Sequence, residues 1–135
     1  MGDSLTGRGR CLCGSVGYTV SGELRDVVNC HCERCRRFTG HHMAATAAHP
    51  DSVVITDDRA SLRWYDPVPG VHYGFCSQCG SSLFWKADAH PDRLSICAGT
   101  LDPPTHLHTT KAWWLAHRSD YFTLDESIEN FEFEG

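Results

Sequence analysis

Eight cysteines stand out in this chain of 135 residues, and most of them fall into short, closely spaced groups. The sequence CLCG at residues 11–14 supplies one pair, and CSQCG at residues 76–80 supplies another. A tight turn of this kind directs two thiolates at one metal ion, and the glycine that follows permits a positive φ angle. Because tetrahedral zinc needs four ligands, we predict that the two pairs share one structural zinc ion rather than forming separate surface thiols. The predicted ligands are Cys11, Cys13, Cys76 and Cys79.

A second group, Cys30, Cys32 and Cys35, places three thiols within six residues. Three protein ligands with an open fourth position are typical of catalytic zinc, whereas four protein ligands are typical of structural zinc. Three thiolates leave the bound ion with a net negative charge, which favours a further soft ligand, such as a substrate thiol, over the activation of water. The alternative is a closed structural site, with a histidine such as His41 or His42 as the fourth ligand.

Three arginines, Arg34, Arg36 and Arg37, lie beside the second cysteine group. Guanidinium groups bind carboxylates in a bidentate manner, so these residues are candidates for holding an anionic substrate, although a solvated helix face is also consistent with them. The remaining cysteine, Cys97, lies in an apolar segment. It is either a buried small hydrophobic residue or a reactive nucleophile.

The elements that must position these residues are mostly predicted strands. Short segments rich in β-forming residues recur along the chain and are separated by glycine and proline. We predict strands at residues 15–21, 43–48, 53–56, 61–65, 72–75, 82–85 and 94–98. Helical turns are predicted at residues 33–39 and around residues 111–116. The pattern indicates a mainly β fold of short antiparallel strands with little helix, in a single domain over residues 1–135.

Composition narrows the functional classes. The net charge of −5 gives no global attraction to nucleic acid or to an anionic membrane, and we expect neither as a partner. No apolar run reaches the length of about 20 residues that a membrane-spanning helix needs. The first ten residues contain no apolar stretch typical of a secretory signal, so we expect a reducing, cytoplasmic location in which clustered cysteines bind metal.

Four motifs in a fixed order resemble the glutathione-dependent formaldehyde-activating enzyme family, which also includes centromere protein V. The motifs are RCLCGSVG at residues 10–17, CHCERCRRFTG at 30–40, FCSQCGSSLF at 75–84 and AGTLDP at 98–103. The resemblance covers about residues 8–113. It implies a β-tent fold with two zinc ions: a structural one held by the pairs at residues 11–13 and 76–79, and a catalytic one held by the group at residues 30–35.

The resemblance also implies a reaction. The family condenses formaldehyde with glutathione to give S-hydroxymethylglutathione, which is a carbon–sulfur lyase reaction when written in reverse. The implied partners are therefore a small-molecule thiol and an aldehyde. His106 and Trp113 are similar to a histidine and a tryptophan in the C-terminal part of the family, and His41, His42 or His106 would protonate the developing alkoxide.

Two other functions are consistent with the sequence. Both zinc ions could be structural in a non-catalytic binding module, which the nature of the fourth ligand at the second group would decide. A thiol redox enzyme could use Cys97, as methionine sulfoxide reductases of type B use a cysteine in a late strand of a related fold. The arginine-x-cysteine-x-asparagine pattern of those reductases is, however, missing from this sequence.

Overall fold

Two β-sheets carry the fold in the computed structural model, which describes residues 5–135. The strands are β1 (Gly7–Arg10), β2 (Gly17–Val20), β3 (Val27–Cys30), β4 (Met43–Ala48), β5 (Val53–Thr56), β6 (Leu62–Tyr65), β7 (Val71–Cys76), β8 (Ser82–Ala87), β9 (Leu94–Cys97), β10 (Thr109–Trp113) and β11 (Glu129–Asn130). The described residues form one α-helix, α1 (Glu33–Thr39). Short 3-10 turns lie at Pro50–Ser52, Ala98–Thr100 and Leu115–His117.

The smaller sheet has the order β1-β2-β5, and the larger sheet has the order β11-β10-β3-β4-β9-β8-β7-β6. Neighbouring strands are antiparallel except around β10, which runs parallel to both β3 and β11. Short turns connect β1 to β2 and β7 to β8, as hairpins require. Each of these two hairpin turns carries one of the cysteine pairs.

The main core lies between the two sheets. Alternating residues of β2, Tyr18 and Val20, face inward, where they pack against Leu83, Phe84 and Ile96 of the larger sheet. The Tyr18 and Phe84 rings meet edge to face with their centroids 5.4 Å apart. Burying a side chain of this size contributes about 1.5–3 kcal/mol, so this contact layer fixes one sheet against the other.

Strand β4 and helix α1 support the second cysteine group. The sequence MAATAA of β4 lies between β3 and β9 and is buried along most of its length, and Cys35 of the helix packs in one cluster with Met43 and Ala45 of this strand. The Cys32 side chain caps the start of α1 by accepting a hydrogen bond from the Cys35 N–H. The helix ends at Gly40, whose φ of 85° allows its N–H to bond the Arg36 carbonyl oxygen.

The mainly β prediction is confirmed, and so are the predicted helix at residues 33–39 and the strands at 43–48 and 53–56. The helical turn predicted around residues 111–116 is wrong, because its first part belongs to β10, and only Leu115–His117 forms a 3-10 turn. Strands β1 and β3 were not predicted from the sequence. Residues 1–4 of the predicted domain lie outside the described residues. The seven residues of α1 are too few to cross a membrane, and the described part of the chain has no longer helix.

A charged bridge ties the ends of β6, β7 and β8 together. The Nδ1 atom of His72 lies 2.7 Å from an Asp66 oxygen, and its Nε2 atom lies 2.9 Å from an Asp88 oxygen. These hydrogen bonds, first that with Asp88 and then that with Asp66, raise the pKa of His72 above its ordinary value. The bridge therefore stabilises the fold fully below the unfolded-state pKa of about 6.5, and its contribution is lost as pH rises through the higher folded-state pKa.

We expect His72→Gln to lower the free energy of unfolding at about pH 6 and to have little effect at about pH 9, where the wild-type imidazole is neutral. Urea denaturation at the two pH values measures the difference. The exposed His108→Gln is the matched control and should show no such pH dependence. An equal loss of stability at both pH values would contradict the charged bridge.

Candidate metal centres and the adjoining cavity

Four sulfur atoms converge where the β1–β2 and β7–β8 turns meet. The Sγ atoms of Cys11, Cys13, Cys76 and Cys79 all lie within 4.8 Å of one another. The Cys11–Cys13 sulfur distance is 3.7 Å, and the Cys13–Cys76 distance is 3.8 Å. Four zinc–sulfur bonds of about 2.3 Å in a tetrahedron give edges of about 3.8 Å, so the donors fit a zinc ion.

Local hydrogen bonds shape the two turns. Gly14 and Gly80 have φ angles of 82° and 80°, which let the chain turn back sharply behind each pair. The Ser81 hydroxyl accepts a bond of 2.9 Å from the Leu12 N–H and so joins one turn to the other. A hydrogen bond with Ser81 also lowers the pKa of Cys79 to about 5, which favours the thiolate that a metal ion binds.

The second sulfur group forms where β3 passes into α1. Cys30 ends the strand, Cys32 caps the helix and Cys35 lies in its first turn, with the three Sγ atoms within 4.8 Å of one another. The Cys35 N–H lies 3.4 Å from the Cys32 sulfur, and the Tyr73 hydroxyl lies 3.3 Å from the Cys35 sulfur. Burial raises the pKa of Tyr73, so this hydroxyl keeps its proton and can donate it.

The three thiols of this group shift one another's pKa values. Hydrogen bonding with Cys30, and then with Cys35, lowers the pKa of Cys32. Hydrogen bonding with Cys32 raises the pKa of Cys30, and hydrogen bonding with Cys30, and then with Cys32, raises the pKa of Cys35. Three thiolates at this spacing repel one another, so a bound cation would favour the ionised form of all three. Within the described residues, no other histidine, cysteine or carboxylate joins this group as a fourth ligand.

A cavity of about 400 Å³ lies against the second group, and all three of its cysteines line it. Trp85, Trp113 and Trp114 provide aromatic walls. Arg25 and Arg93 provide positive charge on the same cavity. A largely apolar cavity with a few polar groups is the usual form of a small-molecule site.

The two arginines are partly buried, and each lies against a tryptophan ring of the cavity wall. The Arg25 guanidinium lies 5.5 Å from the centre of the Trp113 ring, and that of Arg93 lies 5.8 Å from the centre of the Trp85 ring. The Arg25 Nη2 atom donates a bond of 3.0 Å to the Ala45 carbonyl oxygen. Burial, and then the nearby charge of Arg93, lowers the pKa of Arg25, so a bound anion would relieve an existing repulsion.

Only one of the three arginines predicted to bind substrate lines this cavity, namely Arg34. Arg37 instead pairs with Glu33 on the helix surface at 2.9 Å. Arg36 lies 3.4 Å from the Ser119 hydroxyl and is also absent from the cavity lining. Residues 34, 36 and 37 point in different directions because they follow one another around a single helical turn.

The histidines predicted as acids also lie away from the cavity lining. His41 stacks on Tyr121, with its Nδ1 atom 3.0 Å from the Tyr121 hydroxyl, and His42 packs against the buried His31. His106 is exposed. The histidine that does line the cavity is His117, whose Nδ1 atom accepts a bond of 3.3 Å from the Glu33 N–H.

Cys97 is buried beside Ala45 in the neighbouring strand, and burial raises its pKa to about 12. It therefore stays a thiol at neutral pH, and its environment is that of a small apolar core residue. Sequence reasoning missed Arg25, Arg93 and His117: Arg93 and His117 are distant in sequence from the second cysteine group, and Arg25, five residues before the group begins, belongs to no recognisable motif. The strand order β3-β4-β9 brings the two arginines together, because β3 and β9 both flank β4. Arg25 lies two residues before β3, and Arg93 directly precedes β9.

The comparison with known proteins agrees with the motif order. Residues 6–117 match the family described as glutathione-dependent formaldehyde-activating enzyme, and the chain belongs to this family. A crystal structure of a Rhodobacter sphaeroides protein, a Northeast Structural Genomics target, is similar with a TM-score of 0.61 and 25% sequence identity. The match covers 71% of this chain and 88% of that one. No curated protein gives a significant match.

We expect Cys79→Ser to remove one metal ion per chain and to lower the free energy of unfolding by more than about 4 kcal/mol, a size associated with the loss of a metal site. Metal content by mass spectrometry and urea denaturation provide the two readouts. Cys97→Ser is the control, because Cys97 lies outside both sulfur groups, and its metal content should be unchanged. Full metal content in Cys79→Ser would show that the four sulfurs do not share an ion.

Proposed function

We propose that this protein is a zinc-dependent enzyme of the carbon–sulfur lyase type that joins the thiol of glutathione, or of a similar molecule, to formaldehyde. The observation that carries the proposal is the three-sulfur group in the wall of a cavity that is also lined by two partly buried arginines, Arg25 and Arg93. Membership of the formaldehyde-activating family supports the substrates. We take residues 1–135 as one domain with two zinc sites, of which the four-sulfur site is structural.

Cys30, Cys32 and Cys35 would hold the catalytic zinc. When bound, this zinc supplies a Lewis acid that favours the thiolate form of a substrate sulfur at neutral pH. The Tyr73 hydroxyl, 3.3 Å from the Cys35 sulfur, donates a hydrogen bond to that ligand and fixes its orientation. The three tryptophans line the same cavity as this sulfur group, so the reacting sulfur would lie beside a largely apolar wall.

The spacing along β3 and β4 suits a thiol that also carries carboxylates. Ala45, which accepts the hydrogen bond from Arg25, is paired across the ladder with Val28. Val28 is two residues before Cys30, which corresponds to about 7 Å along the strand. The Arg25 guanidinium is therefore displaced by about this distance from the sulfur group. A cysteine-containing peptide can span this interval, with its sulfur at one end of the cavity and a carboxylate at the other.

The chemical step forms one carbon–sulfur bond. The thiol loses its proton to solvent, its sulfur attacks the carbonyl carbon, and the carbonyl electron pair moves to the oxygen, which takes a proton from water. His117 accepts the Glu33 N–H through Nδ1, so its own proton is on Nε2. We assign the Nε2–H group of His117 to stabilise the developing alkoxide. It takes the role that the sequence suggested for His41, His42 or His106.

We expect Cys32→Ser to reduce the catalysed condensation to the spontaneous background and to leave one zinc ion per chain, because the structural site is intact. Product formation is followed by NMR of S-hydroxymethylglutathione, and zinc is counted by mass spectrometry with and without added glutathione. Cys97→Ser should retain both the rate and the zinc. Wild-type rate together with unchanged zinc in Cys32→Ser would refute the proposed role of the group.

We expect Arg25→Gln to raise the KM for glutathione by about 10- to 100-fold, the effect of losing a hydrogen bond between charged groups. The KM for the uncharged thiol 2-mercaptoethanol should change little, because it has no carboxylate. Arg37→Gln is the matched control, since Arg37 pairs with Glu33 outside the cavity. An equal change for both thiols would indicate that Arg25 acts through the fold and not through the substrate.

A further inference from the structure

A short segment outside the family match completes the cavity. This strap, residues 131–135, follows β11 and lies beyond the matched residues 6–117. The N–H groups of Trp114, Leu115 and Ala116 donate hydrogen bonds of 3.1 Å to carbonyl oxygens of residues 133, 131 and 132. The strap is therefore attached to the cavity wall through backbone groups, and these hydrogen bonds do not depend on which side chains the strap carries.

The strap also holds one wall residue in an unusual conformation. Trp114 has a φ angle of 62°, in the left-handed region that bulky side chains rarely adopt. Its ring meets the Phe133 ring edge to face, with centroids 5.3 Å apart. Such a conformation persists where surrounding contacts determine it, and the strap supplies two of them: the carbonyl oxygen of Phe133, which accepts the Trp114 N–H, and the Phe133 ring.

The strap places a carboxylate on one of the substrate-binding arginines. An oxygen of Glu134 lies 3.6 Å from Nη2 of Arg93, and both residues line the cavity. This distance exceeds the usual 2.7–2.9 Å of a charge-assisted hydrogen bond. The Arg93 Nε atom is buried and has no hydrogen-bond partner within the described residues. The guanidinium thus has unused donors, which a closer bidentate carboxylate would satisfy.

We propose that Glu134 occupies the position of a substrate carboxylate on Arg93 and is displaced by it, so that Glu134 determines how strongly anionic thiols bind. This rests on the proposed function, because it deepens the substrate specificity of the same site. A partly exposed ion pair is weak, which allows a bidentate ligand to replace it. A neutral thiol has no group that competes for Arg93 and leaves the pair in place.

The test compares Glu134→Gln with the wild-type protein in direct binding to glutathione and to glutarate, a dicarboxylate with neither thiol nor amine. Tryptophan fluorescence reports binding, because three tryptophans line the cavity. We expect both ligands to bind about two- to fivefold more tightly to Glu134→Gln, the range for a partly exposed pair, and 2-mercaptoethanol to bind equally to both forms. Glu132→Gln, on the same strap but outside the cavity lining, should match the wild type.

A double-mutant cycle adds a second readout. In an Arg93→Gln background, Glu134→Gln should give no further gain in glutarate affinity, because the shared partner is gone. Weaker glutathione binding with unchanged glutarate binding would overturn the proposal and show that Glu134 binds the ligand's ammonium group. Unchanged binding of both ligands would also overturn it. If glutarate binds more tightly to Glu134→Gln while glutathione binds neither form, the strap proposal holds and the proposed function fails.

Discussion

The convergence of four sulfur atoms between two hairpin turns is the constraint on which the rest of the structure depends. Cys13 and Cys76 lie 63 residues apart in sequence, one in the smaller sheet's hairpin and one in the larger sheet's. Four thiolates at this spacing would repel one another, and a bound cation would offset that repulsion. Most strands have only four residues, and their ladders alone give little stability. A metal ion bound at this point would tie the two hairpins together, at one end of the two sheets between which Tyr18 packs on Phe84.

The second sulfur group uses the same ligand chemistry for a different purpose. Its cysteines lie within six residues, so a metal ion bound there closes only a very short loop and adds little constraint to the unfolded chain. Helix α1 already has its own cap at Cys32 and its own end at Gly40. An ion at this position is therefore not required to hold distant segments together. What distinguishes the group is its place in a cavity wall, which is the physical reason to assign chemistry to it.

Local features could be predicted from the sequence, whereas features made by distant residues could not. The cysteine spacing predicted both sulfur groups, and Gly80 indicated the turn in the first of them. The alternation of apolar and polar residues predicted β2. Strand β1, with the sequence GRGR, has no β propensity of its own and forms because it pairs with β2. Residues 111–116 contain good helix formers, but parallel pairing with β3 makes the first of them a strand. Arg25 and Arg93 gave no local signal, since only the strand order brings them together.

The charge of the cavity follows from the same topology. Two guanidiniums at the starts of β3 and β9 are partly buried, and each lies on a tryptophan ring that offsets only part of the cost of burial. The sulfur group and the arginines belong to residues 6–117, which match the family, whereas the carboxylate that contacts Arg93 comes from the strap outside them. If the proposed function holds, the sulfur group and the arginines that attract anions lie in the family-matched part of the chain, and only the competing carboxylate lies outside it. Because the strap is attached through backbone hydrogen bonds, we expect a change of the Glu134 side chain to leave the sulfur ligands in place.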